Sequence, residues 1–133
     1  MTVTLREAHD IVDAVVKKAE AEGLKVGVAV VNDKGGTVLQ VGMDGTRPFT
    51  SDTARGKALG TVLWGMPGVT LAGREASSVF QYVNHIYGDR VIYAEGSALL
   101  KRGDEVMGAV GVSGAAPAKD EELAAQAAAG FGV

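Results

Sequence analysis

The sequence contains two histidines, and they are its clearest candidates for chemistry. His9 lies four residues after Leu5 and three before Val12, at the edge of the apolar stripe of a predicted first helix. His85 ends a predicted third helix on a polar row. A neutral imidazole suits proton transfer near pH 7 and the ligation of iron. Each histidine also has an ordinary interpretation: a hydrogen bond at a helix edge for His9, and an interaction with the last helix carbonyls for His85.

Three side chains close to His85 in the sequence would assist it. Tyr82 precedes it by three residues, one helical turn, and Tyr93 and Glu95 follow in a strand end and loop. With Tyr82 and Glu95 beside it, His85 would act as a general acid or base. The tyrosines would also line a pocket for a flat ligand, although aromatic residues at the ends of helices and strands often belong to the edge of a core.

Two cations are candidates for holding an anionic ligand. Lys57 is the one charge set between Ala54, Ala58 and Thr61 on a predicted second helix. Its ammonium would pair with a ligand carboxylate, or the side chain would extend along the helix surface to solvent. Arg47 lies in the loop before that helix, where it would cover a pocket mouth or remain a solvated arginine.

The composition excludes several classes of function. The chain has 133 residues, 47% of them apolar and 22% charged, which fits one globular domain over residues 1–133. It has no cysteine, so disulfides, thiolate catalysis and cysteine-bound metals are ruled out. No HExxH pattern or paired carboxylate spacing occurs, and we expect no dedicated metal site.

Charge and hydropathy bear on partners and location. The net charge is −3, and no basic run exceeds two residues, so we expect no nucleic-acid partner. Apolar runs fall short of the roughly 18 residues that a membrane helix needs. The N-terminal residues MTVTLREAHD carry charges where a signal peptide requires an apolar region. We therefore expect no membrane association and a cytoplasmic location.

The spacing of apolar residues predicts the element order α-β-β-α-α-β-β-β-α. Two strands, two helices and three further strands favour an α+β fold with a five-stranded antiparallel sheet. The third helix is expected to bury Val79, Val83 and Ile86. The predicted helices cover about residues 5–22, 50–64, 71–86 and 117–128, and the predicted strands cover residues 26–31, 37–41, 91–94, 98–101 and 106–112.

Three blocks carry a family likeness. They are VGVAVVNDKGGTVLQVGMDG at residues 26–45, SDTARGKALGTV at residues 51–62, and EVMGAVGVSG at residues 105–114. Together they resemble the GlcG/HbpS-like family, which includes haem-binding HbpS-like proteins and the C-terminal domain of PduO-type proteins. The likeness extends from about Leu5 to Ala128.

The resemblance implies a profilin-like fold, a five-stranded antiparallel sheet flanked by helices, and assembly into homo-oligomers. Some members bind haem, and others belong to pathways for glycolate, propanediol or related small compounds. Haem is therefore the candidate cofactor. His9 or His85 would ligate its iron, Lys57 would match the family's lysine and pair with a propionate, and Tyr93 and Arg47 would line the site.

Two departures from the family pattern locate the expected function. Residues 93–97, YAEGS, stand where members usually carry a Pro-Gly-Gly-rich loop, and residues 81–87 are rich in polar and aromatic side chains. We expect any function to lie between Tyr82 and Ser97. The leading interpretation is a protein that binds haem or a related hydrophobic, carboxylate-bearing ligand. The alternatives are a cofactor-independent enzyme that uses His85 on a small organic acid or aromatic compound, and a purely structural oligomer.

Overall fold

The computed structural model describes residues 1–132, in nine regular elements. In chain order these are α1 (Leu5–Ala21), β1 (Gly27–Asn32), β2 (Thr37–Gly42), α2 (Thr50–Trp64), α3 (Gly68–Leu71), α4 (Ser78–Ile86), β3 (Ser97–Arg102), β4 (Glu105–Ser113) and α5 (Pro117–Ala129). A short 3-10 turn, Arg74–Ala76, lies between α3 and α4. No helix within residues 1–132 is long and apolar enough to cross a membrane.

The sheet has the strand order β2-β1-β4-β3, and all neighbouring strands are antiparallel. β1 lies in the interior, with Val28 opposite Val41 on one side and Val112 on the other. The predicted α+β class, with helices flanking an antiparallel sheet, is confirmed. The predicted five strands are wrong, because the sheet formed by residues 1–132 has four. The profilin-like assignment stays a prediction.

The missing strand is the segment of residues 91–94, which packs against a helix instead of a strand. The backbone N–H of Ile92 donates to the carbonyl of Gly56 in α2, at 3.1 Å. A Cβ at Gly56 would lie 2.7 Å from the Ile92 side chain and 2.8 Å from the Arg90 carbonyl, so only glycine permits this approach. Val91 and Tyr93 are buried in this position. Buried and partly buried residues alternate in this segment as they do in a strand, but the segment packs against α2.

The two faces of the sheet are covered differently. Helices α1 and α5 pack on the face that carries large aliphatic side chains, including Val28, Val30, Val110, Val112 and Leu100. The capping box of Thr4 and Glu7 begins α1 on this side, with 2.9 and 3.1 Å hydrogen bonds in the two directions. This layer forms the main hydrophobic core.

Helix α2 covers the opposite face, which is built from small residues. The side chains turned toward α2 include Ala29 and Ala109, and Gly27 and Gly111 present bare backbone. A Cβ at Gly111 would lie 2.0 Å from the Ala54 carbonyl, so the helix rests directly on the strand backbone. This close contact fixes the position of every side chain that α2 carries.

The predicted third helix is divided, and its orientation differs from expectation. Gly73 adopts φ +86° and Ser77 is extended, so residues 71–86 form a short helix, a turn and α4. Phe80 is the buried residue of α4. The expected burial of Val79 and Ile86 is wrong, because their side chains are 52% and 74% exposed.

Candidate functional site

The outward face of α4 brings together two of the predicted site residues. Val79, Tyr82 and Ile86 recur at three- and four-residue spacing and are all exposed, Tyr82 by 68%. His85 lies one turn after Tyr82, with its side chain 85% exposed. These four side chains form an exposed face of α4 that combines apolar groups with an imidazole.

The inward face of α4 is held by an aromatic cluster of Trp64, Phe80 and Tyr93. The Trp64 and Phe80 rings stack with centroids 3.8 Å apart, and Tyr93 meets Phe80 edge-on at 5.1 Å. The Tyr93 hydroxyl donates to the Phe80 carbonyl at 2.9 Å and accepts from the Trp64 indole at 3.2 Å. Tyr93 therefore lies beneath α4, on the side away from Tyr82 and His85.

The C-terminal end of α4 is fixed by Asn84. Its side-chain oxygen accepts from the Val91 N–H at 2.8 Å, and its carbonyl accepts from the N–H of Asp89 at 2.8 Å. Asp89 adopts φ +60°, and its carboxylate lies 4.0 Å from Nδ1 of His85. These bonds set the turn after α4, so the backbone at His85 is well defined although its imidazole faces solvent.

The second histidine lies on the other side of the molecule. His9 is exposed on α1, in a shallow recess of about 280 Å³ shared with Leu5, Arg6 and Asp10. Helix α1 and the aromatic cluster below α4 occupy opposite faces of the sheet. His9 and His85 of one chain therefore do not meet at a single ligand.

Lys57 is buried and paired within the chain. Its Nζ donates to the Val112 carbonyl at 3.0 Å and to a carboxylate oxygen of Asp120 at 3.3 Å. The other Asp120 oxygen accepts from the Ala115 N–H at 3.0 Å. Burial raises the pKa of Asp120 above its ordinary value, and the nearby Lys57 charge opposes that rise.

A second carboxylate of α5 anchors the loop that departs from the family pattern. Glu121 accepts from the N–H groups of Gly96 and Ser97 at 2.6 and 3.2 Å. The Ser97 hydroxyl lies 2.5 Å from that of Thr61 on α2. Gly96 is required here, since a Cβ would lie 2.5 Å from the Val112 carbonyl. Glu95 is half-buried beside this anchored turn.

Sequence interpretation did not identify the roles of Asp120 and Glu121. One signal was present. Asp120 precedes Leu123 and Ala124 by three and four residues, so it lies on the buried stripe of α5. A charge on one buried stripe requires an opposite charge on another, and Lys57 supplies it.

Glu95 and Arg47 are not joined to the α4 face. Within residues 1–132 no hydrogen bond or ion pair links Glu95 to Tyr82 or His85. Arg47 is exposed in the connection before α2, where its carbonyl accepts from the Thr50 N–H at 3.1 Å. The structure thus places Tyr82 and His85 together, Tyr93 beneath them, and Lys57, His9 and Arg47 elsewhere.

A cationic recess adjoins the end of α4 and was not anticipated from the sequence. Lys34 of the β1–β2 turn, Arg55 of α2 and Arg90 of the loop after α4 line it together with Tyr87, around a volume of about 270 Å³. No carboxylate belongs to its lining among residues 1–132. We refer to these four residues as the cationic recess.

A groove of about 380 Å³ lies on the opposite side of the sheet, between α1 and α5. Its arginine, Arg102, is paired with Glu7 at 2.5 Å and lies 5.0 Å from the Phe131 ring centroid. The cation in this groove is already paired. No group of three or more histidine, aspartate or glutamate side chains in the described part of the chain is placed to hold a metal ion.

Family membership follows from the match of nearly the whole chain to one family model. The model described as haem degrading protein HbpS-like matches residues 3–129. The chain belongs to the HbpS-like family. This confirms the resemblance found in the three sequence blocks.

Several solved structures are similar to this chain. A double mutant of Streptomyces reticuli HbpS is 31% identical, with a TM-score of 0.83 over 97% of this chain and 86% of that one. Klebsiella pneumoniae protein ORFY is 28% identical, with a TM-score of 0.85 over 96% and 88%. A PduOC:haem complex, at 22% identity and a TM-score of 0.83 over 97% and 94%, shares the fold. No curated protein gives a significant sequence match.

Proposed function

We propose that this protein binds haem or a related flat, hydrophobic compound that carries carboxylates. The observation that supports this proposal most directly is the outward face of α4, where Val79, Tyr82 and Ile86 are exposed beside His85. An apolar ring system would cover these side chains, at a gain of roughly 25 cal/mol per Å² of apolar surface removed from water. The imidazole of His85 is the nitrogen ligand that this face offers to the iron.

The comparisons point to the same ligand. The family description names haem as the compound that its members degrade, and a neighbour with the same fold was solved as a haem complex. The residues of the α4 face fit such a group, because they combine apolar side chains with an accessible nitrogen ligand. When bound, haem would supply an iron centre with redox chemistry, and α4 would supply the surface and the ligating nitrogen.

We favour His85 over His9 as the residue that would ligate the iron. His9 lies between Arg6 and Asp10 in a shallow recess whose apolar side chain is that of Leu5, whereas His85 adjoins the exposed side chains of three residues, Val79, Tyr82 and Ile86. Lys57 stays a predicted ligand contact, and a ligand carboxylate would have to compete with Asp120 for its ammonium. Tyr93 and Arg47 also stay predictions, Tyr93 acting through the support that it gives to α4.

A hemin titration tests the proposal. Wild-type protein should give a saturable, shifted Soret band. His85→Ala should weaken binding at least about tenfold and shift the band, while His9→Ala should bind like wild type. Both histidines are exposed, so circular dichroism should show equal stability in the two variants. A featureless, non-saturating titration of the wild type would refute haem binding, and equal loss in both variants would remove His85 as the specific ligand.

We also propose that the chain acts as one domain that assembles into a homo-oligomer, with the α4 face at or beside the contact between copies. Exposed Val79 and Ile86 support this, because a second copy would remove them from water. Native mass measurement should show multiples of 13.6 kDa. Ile86→Asp should reduce the oligomer, and a wild type that is monomeric at micromolar concentration would contradict the assembly. The cytoplasmic location stays a prediction.

The alternative of acid/base catalysis by His85 has less support. Tyr82 is one turn away, but the imidazole is 85% exposed, and Glu95 forms no hydrogen bond or ion pair with either residue within residues 1–132. General acid or base catalysis requires a substrate proton held within hydrogen-bond reach of the base, which an open helix face does not by itself provide.

A further inference from the structure

The cationic recess is formed by three separate parts of the chain. The β1–β2 turn supplies Lys34, α2 supplies Arg55, and the loop after α4 supplies Tyr87 and Arg90, with Leu59 at the base. Gly35 allows this arrangement, because it adopts φ +89° and a Cβ there would lie 2.6 Å from the Leu59 side chain. The turn therefore lies flat against α2 and leaves an opening of about 270 Å³.

The orientation of Arg90 is set by one hydrogen bond. Its Nε donates to the Tyr87 carbonyl at 2.9 Å, which leaves the two terminal nitrogens of the guanidinium for an external acceptor. Arg55 is half-buried, and its nearest carboxylate is Asp52 at 3.9 Å. Asp52 also accepts from Gln40 at 2.8 Å. The ion pair between Arg55 and Asp52 is therefore long, and Asp52 also serves Gln40 as a hydrogen-bond acceptor.

The charge of the recess contrasts with that of the protein. The chain carries −3 overall, whereas the recess lining carries three cations and no acid among the described residues. Asp89, which directly precedes Arg90, does not belong to the lining, and its carboxylate lies 4.0 Å from Nδ1 of His85. Arginines present a planar fork that matches carboxylate and phosphate oxygens, and charge-assisted hydrogen bonds of this kind are stronger than neutral ones.

We infer that the cationic recess binds the carboxylate or phosphate groups of a small molecule through Arg55, Arg90 and Lys34. The recess adjoins the α4 face, because Tyr87 of the recess directly follows Ile86 of α4. For an amphipathic ligand that covers both surfaces, this inference therefore rests on the proposed function. A ring system on α4 would then place its acidic groups in the recess. The same chemistry would also accept a free small dianion.

Two iron porphyrins that differ only in their carboxylates distinguish binding of the acidic groups from binding of the ring. Iron mesoporphyrin carries two carboxylates, and its dimethyl ester has the same ring without them. Wild-type protein should bind the acid at least about tenfold more tightly than the ester. The double variant Arg55→Gln/Arg90→Gln should lose that preference while its affinity for the ester stays unchanged. Arg6→Gln, which neutralises an exposed arginine of α1 outside the recess, is the matched control and should keep the preference.

Succinate and inorganic phosphate test the recess without the ring. Titration of the wild type, followed by the amide resonances of Gly35 and Gly36, should give saturable shifts that are absent in Arg55→Gln/Arg90→Gln. Melting curves would show that the double variant is folded.

The outcomes separate the two proposals. Equal affinity of wild-type protein for acid and ester would overturn the recess inference and leave ring binding at α4 intact. Saturable shifts with a free anion, without binding of either porphyrin, would support the recess and refute the proposed function. If neither porphyrin binds and neither anion shifts the glycine resonances, both proposals fail.

Discussion

The ammonium of Lys57 and the carboxylate of Asp120 form a buried ion pair at 3.3 Å, although the residues are 63 positions apart in sequence. Their side chains are only 8% and 3% exposed. Lys57 belongs to α2 and Asp120 to α5, which cover opposite faces of the sheet. The pair therefore connects the two helical layers beside the end of β4, where Val112 accepts a second hydrogen bond from the same ammonium.

Replacing only one member of this ion pair should lower the stability of the protein strongly. We expect Lys57→Met or Asp120→Asn alone to lower the free energy of unfolding by about 3–5 kcal/mol, because each leaves a buried charge without its partner. The double variant should lose clearly less than the sum, since neither charge remains. Urea denaturation of the four proteins measures the coupling. Additive losses would show that the pair does not act as a unit.

The pH dependence of Lys57→Met should differ from that of the wild type. Burial already raises the pKa of Asp120, and removing the opposing Lys57 charge should raise it further. The folded state then holds a proton that the unfolded chain, with an aspartate pKa of about 3.9, has lost. Unfolding free energy should therefore fall as pH rises through the window between the unfolded and folded pKa values.

Urea denaturation at a series of pH values, from pH 7 down to about the unfolded aspartate pKa of 3.9, checks this expectation. Relative to wild type, Lys57→Met should recover stability on acidification. The control is Lys57→Met/Asp120→Asn, which has no carboxylate to protonate and should lack the recovery. A single variant whose stability runs parallel to that of the wild type would exclude Asp120 as the titrating group.

The contact between α2 and the sheet should tolerate no side chain at Gly111. Gly111→Ala places a Cβ 2.0 Å from the Ala54 carbonyl, so helix and strand must separate. We expect a loss of about 3 kcal/mol, the upper end of the range for overpacked cores. Gly130→Ala is the matched control, because its Cβ would meet only the Ala127 carbonyl at 3.7 Å. Thermal denaturation of both variants tests this, and a similar melting temperature would contradict the close contact.

Tyr93→Phe should loosen α4 without changing its outward face. The variant loses the hydroxyl that donates to the Phe80 carbonyl and accepts from Trp64, at a cost of about 1–3 kcal/mol. Hydrogen exchange of the α4 amides should become faster. Tyr82→Phe, which changes an exposed phenol, should leave exchange unaltered. If Tyr93→Phe lowers hemin affinity while stability and exchange stay as in wild type, Tyr93 contacts the ligand directly.

The sequence by itself determined the features that depend on neighbouring residues. Apolar spacing and turn residues predicted the first two helices, the hairpin and the last two strands, and three sequence blocks identified the family. It also selected Tyr82 and His85, which the structure places together. Such features can be predicted from the sequence because helix period, strand alternation and turn chemistry are properties of a few consecutive residues.

Only the tertiary structure decided which surface covers each apolar segment. Residues 91–94 alternate like a strand, yet Gly56 opens a place for them on α2. Val79 and Ile86 have the spacing of a buried stripe, yet they are exposed, and Phe80 is the side chain of α4 that is buried. The pairing of Lys57 with Asp120 and the convergence of Lys34, Arg55 and Arg90 likewise join residues far apart in sequence. Periodicity states that a face is apolar or charged, and the partner of that face is set by packing between distant parts of the chain.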